Sequence, residues 1–363
     1  MIWQEPVRGD YPDLSIFGLS GLDQMRSFEI RGGPIPPIGH LTGLIPTRSE
    51  HGYSEFTMPA SSWLQSPAGV IQGGLLAVLA DAPLAGAIQT TLPPATPYAT
   101  SELSLNFVRP ATTDSGLLTG KGRVIHTGRS LALSQAEIFD ESERLLAHGT
   151  TRIFLFPTID PAPAPPSELE PWERPAYPTP DPYLREIQAE LVPQEVWDRL
   201  SGTEILRELI NGSLPAPPIY YLTGQHPVQA GDGTASFAMP CHEWLCSPAR
   251  TVEGGFIAML ADSALSCAVQ TTCPPATAYA TVDLKVNFLR PVFPDGREFV
   301  ATAHVVHRGK TLAVANAEVV NADGKRVMVA TSTSMILPGR PAWVDRPPVP
   351  SEEAVAPNSQ VGR

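Results

Sequence analysis

Two acids stand where acids are expensive. Asp81 interrupts the apolar run GGLLAVLADAPLAGAIQTTL (73–92), and Asp262 interrupts GGFIAMLADSALSCAVQTTC (254–273); each is the only charged residue of its run. A buried carboxylate is costly unless paired or hydrogen-bonded, and ionisable groups held in clefts tend to be functional rather than structural. A Gly-Gly pair opens each run, Gly73-Gly74 and Gly254-Gly255, with the acid eight residues after the first glycine. If the runs are helices, their first amides lack internal partners and lie at the electropositive end. Glycine lets a ligand oxygen approach that backbone closely. A carbonyl that turns into an oxyanion is well served there.

These features occur twice because the chain is a repeat. At an offset of 181, Trp63 matches Trp244, Asn106-Phe107 matches Asn287-Phe288 and His126 matches His307; between residues 56 and 110, 31 of 55 positions are identical to their partners. Repeats decide the architecture, so they take priority. Each unit predicts a short amphipathic helix (about 19–30, and 184–211 broken near Pro193), a Pro-rich turn, a strand (about 52–58 and 233–239), and then the apolar run. Apolarity on all sides means a helix buried on every face or a membrane span. The central acid, the small residues and the strands that follow favour the buried helix. TSELSLNFVRP and TVDLKVNFLRP alternate, which puts Leu103, Leu105 and Phe107, or Leu284, Val286 and Phe288, on one face. Further strands follow, with turns at Gly128-Arg129, Gly309-Lys310 and Asp323-Gly324. The expected architecture is α+β: two tandem units, each an antiparallel sheet wrapped around a long central helix and together forming an intrachain pseudo-dimer. The expected units span 15–156 and 184–337, joined by a Pro/Ala-rich linker (157–183) and followed by a disordered tail (338–363).

The spacing of the polar residues resembles that of the phenylacetate-pathway acyl-CoA thioesterases, which have the hot-dog fold. Their Asn-Pro-x-Gly, His-Gly-Gly, Asp, Thr/Ser-x-Asp-Leu-x-Val-Asn-Phe and His-x-Gly-Arg pattern is met by Ser66-Pro67-Ala68-Gly69, Gln72-Gly73-Gly74, Asp81, Thr100, Leu103, Asn106-Phe107 and His126-Thr127-Gly128-Arg129. The second unit meets it with Ser247-Pro248-Ala249, Glu253-Gly254-Gly255, Asp262, Thr281-Val282-Asp283, Asn287-Phe288 and His307-Arg308-Gly309-Lys310. The resemblance implies that the Gly73 and Gly254 amides polarise a thioester carbonyl. It implies that Asp81 and Asp262 act as general base or nucleophile, and that Thr100 and Thr281 help to orient water. It also implies composite sites, with Asp81 facing Gly254 and Asp262 facing Gly73. Gln72, Glu253, Gly74, Gly255, Ser66, Ser247, Arg129 and Lys310 are the expected substrate contacts, the last two on coenzyme A phosphates.

Two departures from the pattern matter, and the second differs between the copies. The family Asn is Ser66 and Ser247. The family His is Gln72 in one copy and Glu253 in the other, and Glu253 would bring a second carboxylate near Asp81, raising one pKa. Pro83 removes a helix hydrogen bond in the first copy only and is expected to bend that helix. The Asp262/Gly73 site is therefore expected to be the more active one. The alternatives are a catalytically weak acyl-CoA-binding or regulatory protein of the same fold and, third, a hydratase.

Composition narrows the rest. A formal net charge of −12 with no basic run argues against nucleic acid. Cys241, Cys246, Cys267 and Cys273 all lie in the second copy, opposite Ala60, Gln65, Gly86 and Leu92, so they predict free thiols rather than a disulfide framework. Cys241 and Cys246 lack zinc-site spacing, so no metal is expected. No redox cofactor is expected either, coenzyme A entering only as part of the substrate. The N-terminus lacks a basic-then-apolar leader, which predicts a cytoplasmic protein. Relatives that pair their sheets suggest a homodimer of the fused chain.

Overall fold

The computed structural model describes residues 1–29, 33–160, 163–166, 175–187 and 189–342; most of the expected tail (343–363) lies outside the described residues. In the first half, β1 (Ile45–Glu50), β2 (Tyr53–Pro59), β3 (Tyr98–Phe107), β4 (Leu117–Thr127), β5 (Leu131–Phe139) and β6 (Leu145–Leu155) accompany α1 (Gly21–Glu29), α2 (Pro37–Thr42) and α3 (Gly73–Gln89). The second half brings α4 (Gln194–Arg199), α5 (Gly202–Ile210), α6 (Pro218–Thr223) and α7 (Gly254–Gln270). Its strands are β7 (His226–Gly231), β8 (Thr234–Pro240), β9 (Thr277–Phe288), β10 (Glu298–Arg308), β11 (Leu312–Val320) and β12 (Arg326–Pro338).

All twelve strands form one antiparallel sheet in the order β1-β2-β4-β5-β6-β3-β9-β12-β11-β10-β8-β7. The two halves are mirror readings of one sequence of strands, and the join is β3 against β9. There Leu103 faces Val286 and Leu105 faces Leu284. These four residues are the alternating apolar positions of the two matched strands, and all are buried. Alternation along a strand sends them to one face, so the seam of the pseudo-dimer is the same apolar stripe used twice.

α3 packs against β2, β4 and β5, α7 against β8, β10 and β11, and the two helices pack on each other. Every residue from Gly74 to Asp81, and from Gly255 to Leu265, is buried, which accounts for helices without a polar face. Each helix has 17 residues, and no helix among the described residues is long and apolar enough to cross a membrane. The helices touch through their second glycines. A Cβ on Gly74 would stand 2.5 Å from Met259 Cα, and one on Gly255 would stand 2.4 Å from Val78 Cα. Any side chain there would force the helices apart.

α3 runs unbroken through Pro83. Hydroxyls from the sheet meet the carbonyls beside it: Ser54 Oγ donates to Pro83 O (3.0 Å) and Ser134 Oγ to Leu84 O (2.7 Å). The matched positions in the second copy, Ala235 and Ala315, have no hydroxyl, and Ala264 stands in place of proline. The helix expected over 184–211 is instead two short ones. Pro193 precedes α4, and Leu200 turns extended so that Ser201 and Glu204 form a capping box on α5.

The halves also exchange arms. Trp244 Nε1 donates to Glu5 O (3.1 Å), while Trp63 Nε1 donates to Arg185 O (2.9 Å). Arg185 and Glu5 pair at 2.7 Å. Arg8 donates to Thr179 O, Pro180 O and Asp181 Oδ1, and buried His40 Nδ1 lies 3.0 Å from the same Asp181 oxygen. Residues 177–187 are thus held between the N-terminal arm and the first unit.

Candidate active site

The antiparallel contact of α3 with α7 puts the start of each helix beside the acid of the other. Gly74 N–H donates to Asp262 Oδ2 at 2.9 Å, and Gly255 N–H donates to Asp81 Oδ2 at 3.1 Å. Each acid is thus tied to the opposite copy through the second glycine, whose N–H is fully occupied. Gly74 and Gly255, expected among the substrate contacts, are buried between the helices instead. The first glycines differ. Neither the Gly73 nor the Gly254 N–H has an acceptor among the described residues. A free amide at a helix start is an electropositive donor looking for an oxygen.

Oδ1 of Asp81 and Oδ1 of Asp262 both accept from no donor of the described residues. Beyond this shared plan the two sites diverge. Burial pushes the Asp262 pKa up to about 6 against the opposing pull of the Gly74 amide. Phe107 flanks Gly73, its ring edge 3.8 Å from where a Cβ would stand. Gln72, which precedes Gly73, is engaged on both ends of its amide. Its Nε2 donates to Ser263 Oγ and, at 3.4 Å, to Met259 O; its Oε1 accepts from Gln225 Nε2 at 2.7 Å. Ser263 Oγ lies 2.9 Å from Gln225 Oε1 and 3.0 Å from Met259 O. All three side chains are buried.

At the other site Glu253 replaces Gln72, and Ala82 and Leu44 stand where the partners Ser263 and Gln225 would be. The Glu253 carboxyl meets Asp81 itself. Burial first, then the neighbouring Asp81 charge, drives the Glu253 pKa well above the carboxylate range. Burial also raises Asp81, opposed by a hydrogen bond from Glu253 and the Gly255 amide. Two carboxyls this close hold one proton between them. Ser247, expected as a substrate contact, lies against Glu253 and lowers its pKa by a hydrogen bond. Phe288 flanks Gly254 as Phe107 flanks Gly73, nearer, at 3.1 Å.

The remaining expected residues are less engaged. Thr100 and Thr281 are half-buried on β3 and β9, each directly before a register shift, and their hydroxyls make no hydrogen bond among the described residues. Ser66 is half-buried at the turn ahead of α3. Arg129 and Lys310 are exposed, and Lys310 lines a cleft of about 630 Å³ with Pro274, Thr277, Arg308, Ile336 and Pro338. The four cysteines are free thiols, three of them buried. Motif spacing did not single out Ser263, Gln225, Tyr98 or Tyr279. Tyr98 feels both Asp81 and Glu253, and Tyr279 feels Asp262. Comparing the copies would have found the first two: Ser for Ala82 beside the acid, and Gln for Leu44 after a shared glycine.

With this geometry in hand, similarity to known proteins is specific. The sequence profile of the Thioesterase superfamily matches residues 68–147 and again 250–328. Human acyl-coenzyme A thioesterase 13 is 31% identical over 129 residues, which cover 35% of this chain and 91% of that protein. A Halobacterium salinarum protein whose assignment as an esterase is itself inferred is 40% identical over 96 residues, 25% of this chain and 62% of that protein. Among solved structures, the TesB protein of Mycobacterium avium subsp. paratuberculosis aligns with a TM-score of 0.51 at 13% identity, covering 88% of this chain and all of that one. A hot-dog protein of unknown function from Alicyclobacillus acidocaldarius aligns with a TM-score of 0.50 at 16% identity, covering 82% and 97%. These structural likenesses speak to the fold, two hot-dog units in tandem, and the profile and the human relative to the family. The chain belongs to the thioesterase superfamily, as a thioester hydrolase built from two fused hot-dog units.

Proposed function

We propose that the chain hydrolyses acyl-CoA thioesters, and that it does so at the site made by Asp262 and Gly73. One observation carries this reading: of two acids that each have one anchored and one open oxygen beside an unclaimed amide, only Asp262 lacks a competing carboxyl, since Gln72 stands where the other site has Glu253. The Gly73 N–H receives the thioester oxygen as it gains charge. Asp262, ionised above about pH 6, takes a proton from water as the water oxygen adds to the carbonyl carbon. Collapse of the adduct breaks the carbon–sulfur bond, and the proton passes to the departing thiolate. Direct attack by Asp262 Oδ1, followed by hydrolysis of the anhydride, uses the same atoms. Thr281 and Thr100 are the water-orienting candidates, and Arg129 and Lys310 the phosphate contacts. Acyl-CoA as substrate class is supported by the name of the human relative; aroyl groups belong to the same proposal.

A second reading applies to the other site alone. There the neighbouring Glu253 carboxyl competes with Asp81 for one proton, which weakens Asp81 as a base. That site holds acyl-CoA with little turnover. The test is thiol release over a panel of acyl- and aroyl-CoAs, run beside Asp262→Asn and Asp81→Asn. Release by the wild type and by Asp81→Asn, with little from Asp262→Asn, is expected. Tight coenzyme A binding with no thiol released from any substrate would overturn hydrolysis in favour of a binding module.

A further inference from the structure

The Gln72, Ser263 and Gln225 side chains form a closed ring of hydrogen bonds. Gln225 donates to Gln72, Gln72 donates to Ser263, and the Ser263 hydroxyl faces Gln225 Oε1. The ring joins three elements from both copies. Gln72 caps α3 directly before Gly73, Ser263 follows Asp262 on α7, and Gln225 follows the left-handed Gly224 that ends α6. Each residue is at least nine-tenths buried. Buried polar networks of this kind, when every member is satisfied, fix one arrangement of the backbone around them. Here the two residues fixed are the neighbours of the amide and of the acid. The other site has Glu253, Ala82 and Leu44 at the matched positions and no ring.

We propose that the Gln72–Ser263–Gln225 ring is a positioning device for hydrolysis at the Asp262 site, with Ser263 and Gln225 as positioning residues. It sets the distance between the Gly73 amide and the Asp262 carboxylate and leaves the Gln72 side chain no free group for substrate. The proposal rests on the Asp262 reading above. Because the ring touches neither the acid nor the thioester, its loss slackens the geometry of the reacting groups without removing one. Misplacement on the order of 1 Å lowers turnover by up to about a hundredfold.

The test uses the full chain and an acyl-CoA the wild type turns over. Ser263→Ala and Gln225→Leu install the residues that the other copy carries at these positions. Each is expected to lower kcat about tenfold or more with KM unchanged within about twofold. The double variant is expected to be no worse than the worse single, since a ring opened once is already open. Ser263→Thr, which keeps the hydroxyl, restores kcat to within about threefold of wild type. If Asp262→Asn abolishes turnover while Ser263→Ala and Gln225→Leu keep kcat within about twofold, the ring proposal alone falls. Kinetic losses that multiply in the double variant also overturn it. If Asp262→Asn keeps wild-type turnover, the Asp262 reading falls and takes the ring with it.

Discussion

Asp262→Asn should change how stability depends on pH, in a direction and by an amount that the structure fixes. In the folded chain burial pushes the Asp262 carboxyl from its ordinary 3.8 up to about 6. Unfolded, it titrates near its ordinary value. Between about pH 4 and pH 6 the unfolded chain has released this proton while the folded chain still holds it. The native state therefore binds more protons, and stability falls as pH rises through that window. At about 1.4 kcal/mol per pH unit, the gap amounts to roughly 3 kcal/mol, felt in full above about pH 7. Asparagine has nearly the same shape, accepts from the Gly74 amide and does not titrate. Its unpaired amide hydrogens add a penalty that is the same at every pH, so the slope carries the information. Urea unfolding of the two proteins from about pH 4 to pH 8 measures it. The stability of the variant minus that of the wild type should rise by about 3 kcal/mol across the range. A difference that stays flat would refute a carboxylate that ionises while buried.

The other carboxyl pair gives a related prediction. Glu253→Gln removes the second acid from beside Asp81, so the variant should lose less stability than wild type when urea unfolding is taken to alkaline pH. The same substitution in an Asp262→Asn background should raise residual thiol release, because Asp81 then ionises without a competing carboxyl; no rise would mean that Glu253 is not what weakens that site. Gly255→Ala drives a methyl to within 2.4 Å of Val78 Cα, so thermal unfolding should show a loss of about 1–3 kcal/mol. Ser54→Ala removes the hydroxyl donated to Pro83 O and should cost about 1 kcal/mol by the same measurement.

The repeat made the fold legible. Matched residues gave two units, all-round apolarity gave two buried helices, and alternation gave the strands whose stripes meet at the β3–β9 seam. What escaped was short or local. α2 and α6 have six residues each, with proline at the first turn and glycine at the end, too brief for a helical period to show. β1 and β7 are edge strands with mostly unburied residues, so no apolar alternation marks them. The 184–193 stretch carries Leu184, Ile187 and Leu191 at helical spacing, yet Leu184 closes a single 3-10 turn, Arg185 is held by Trp63 and Glu5, and Val192 N–H donates to Pro67 O. At the site, the acids and the glycines were visible because their types clash with their surroundings. Which amide of each Gly-Gly pair stays free was not, since that depends on how closely two helices approach. Gln72 and Glu253 were read as ligand contacts; their true neighbours, Ser263, Gln225 and Asp81, lie at least 153 residues away in sequence or in the other copy.

Everything functional depends on which acid works. Thiol release from a single acyl-CoA substrate, compared between Asp262→Ala and Asp81→Ala at about pH 8, measures it directly. Loss of a positioned base lowers turnover by about a hundredfold or more, and that loss is expected for Asp262→Ala, with Asp81→Ala keeping most of its rate. Turnover that survives in Asp262→Ala and vanishes in Asp81→Ala would contradict the assignment.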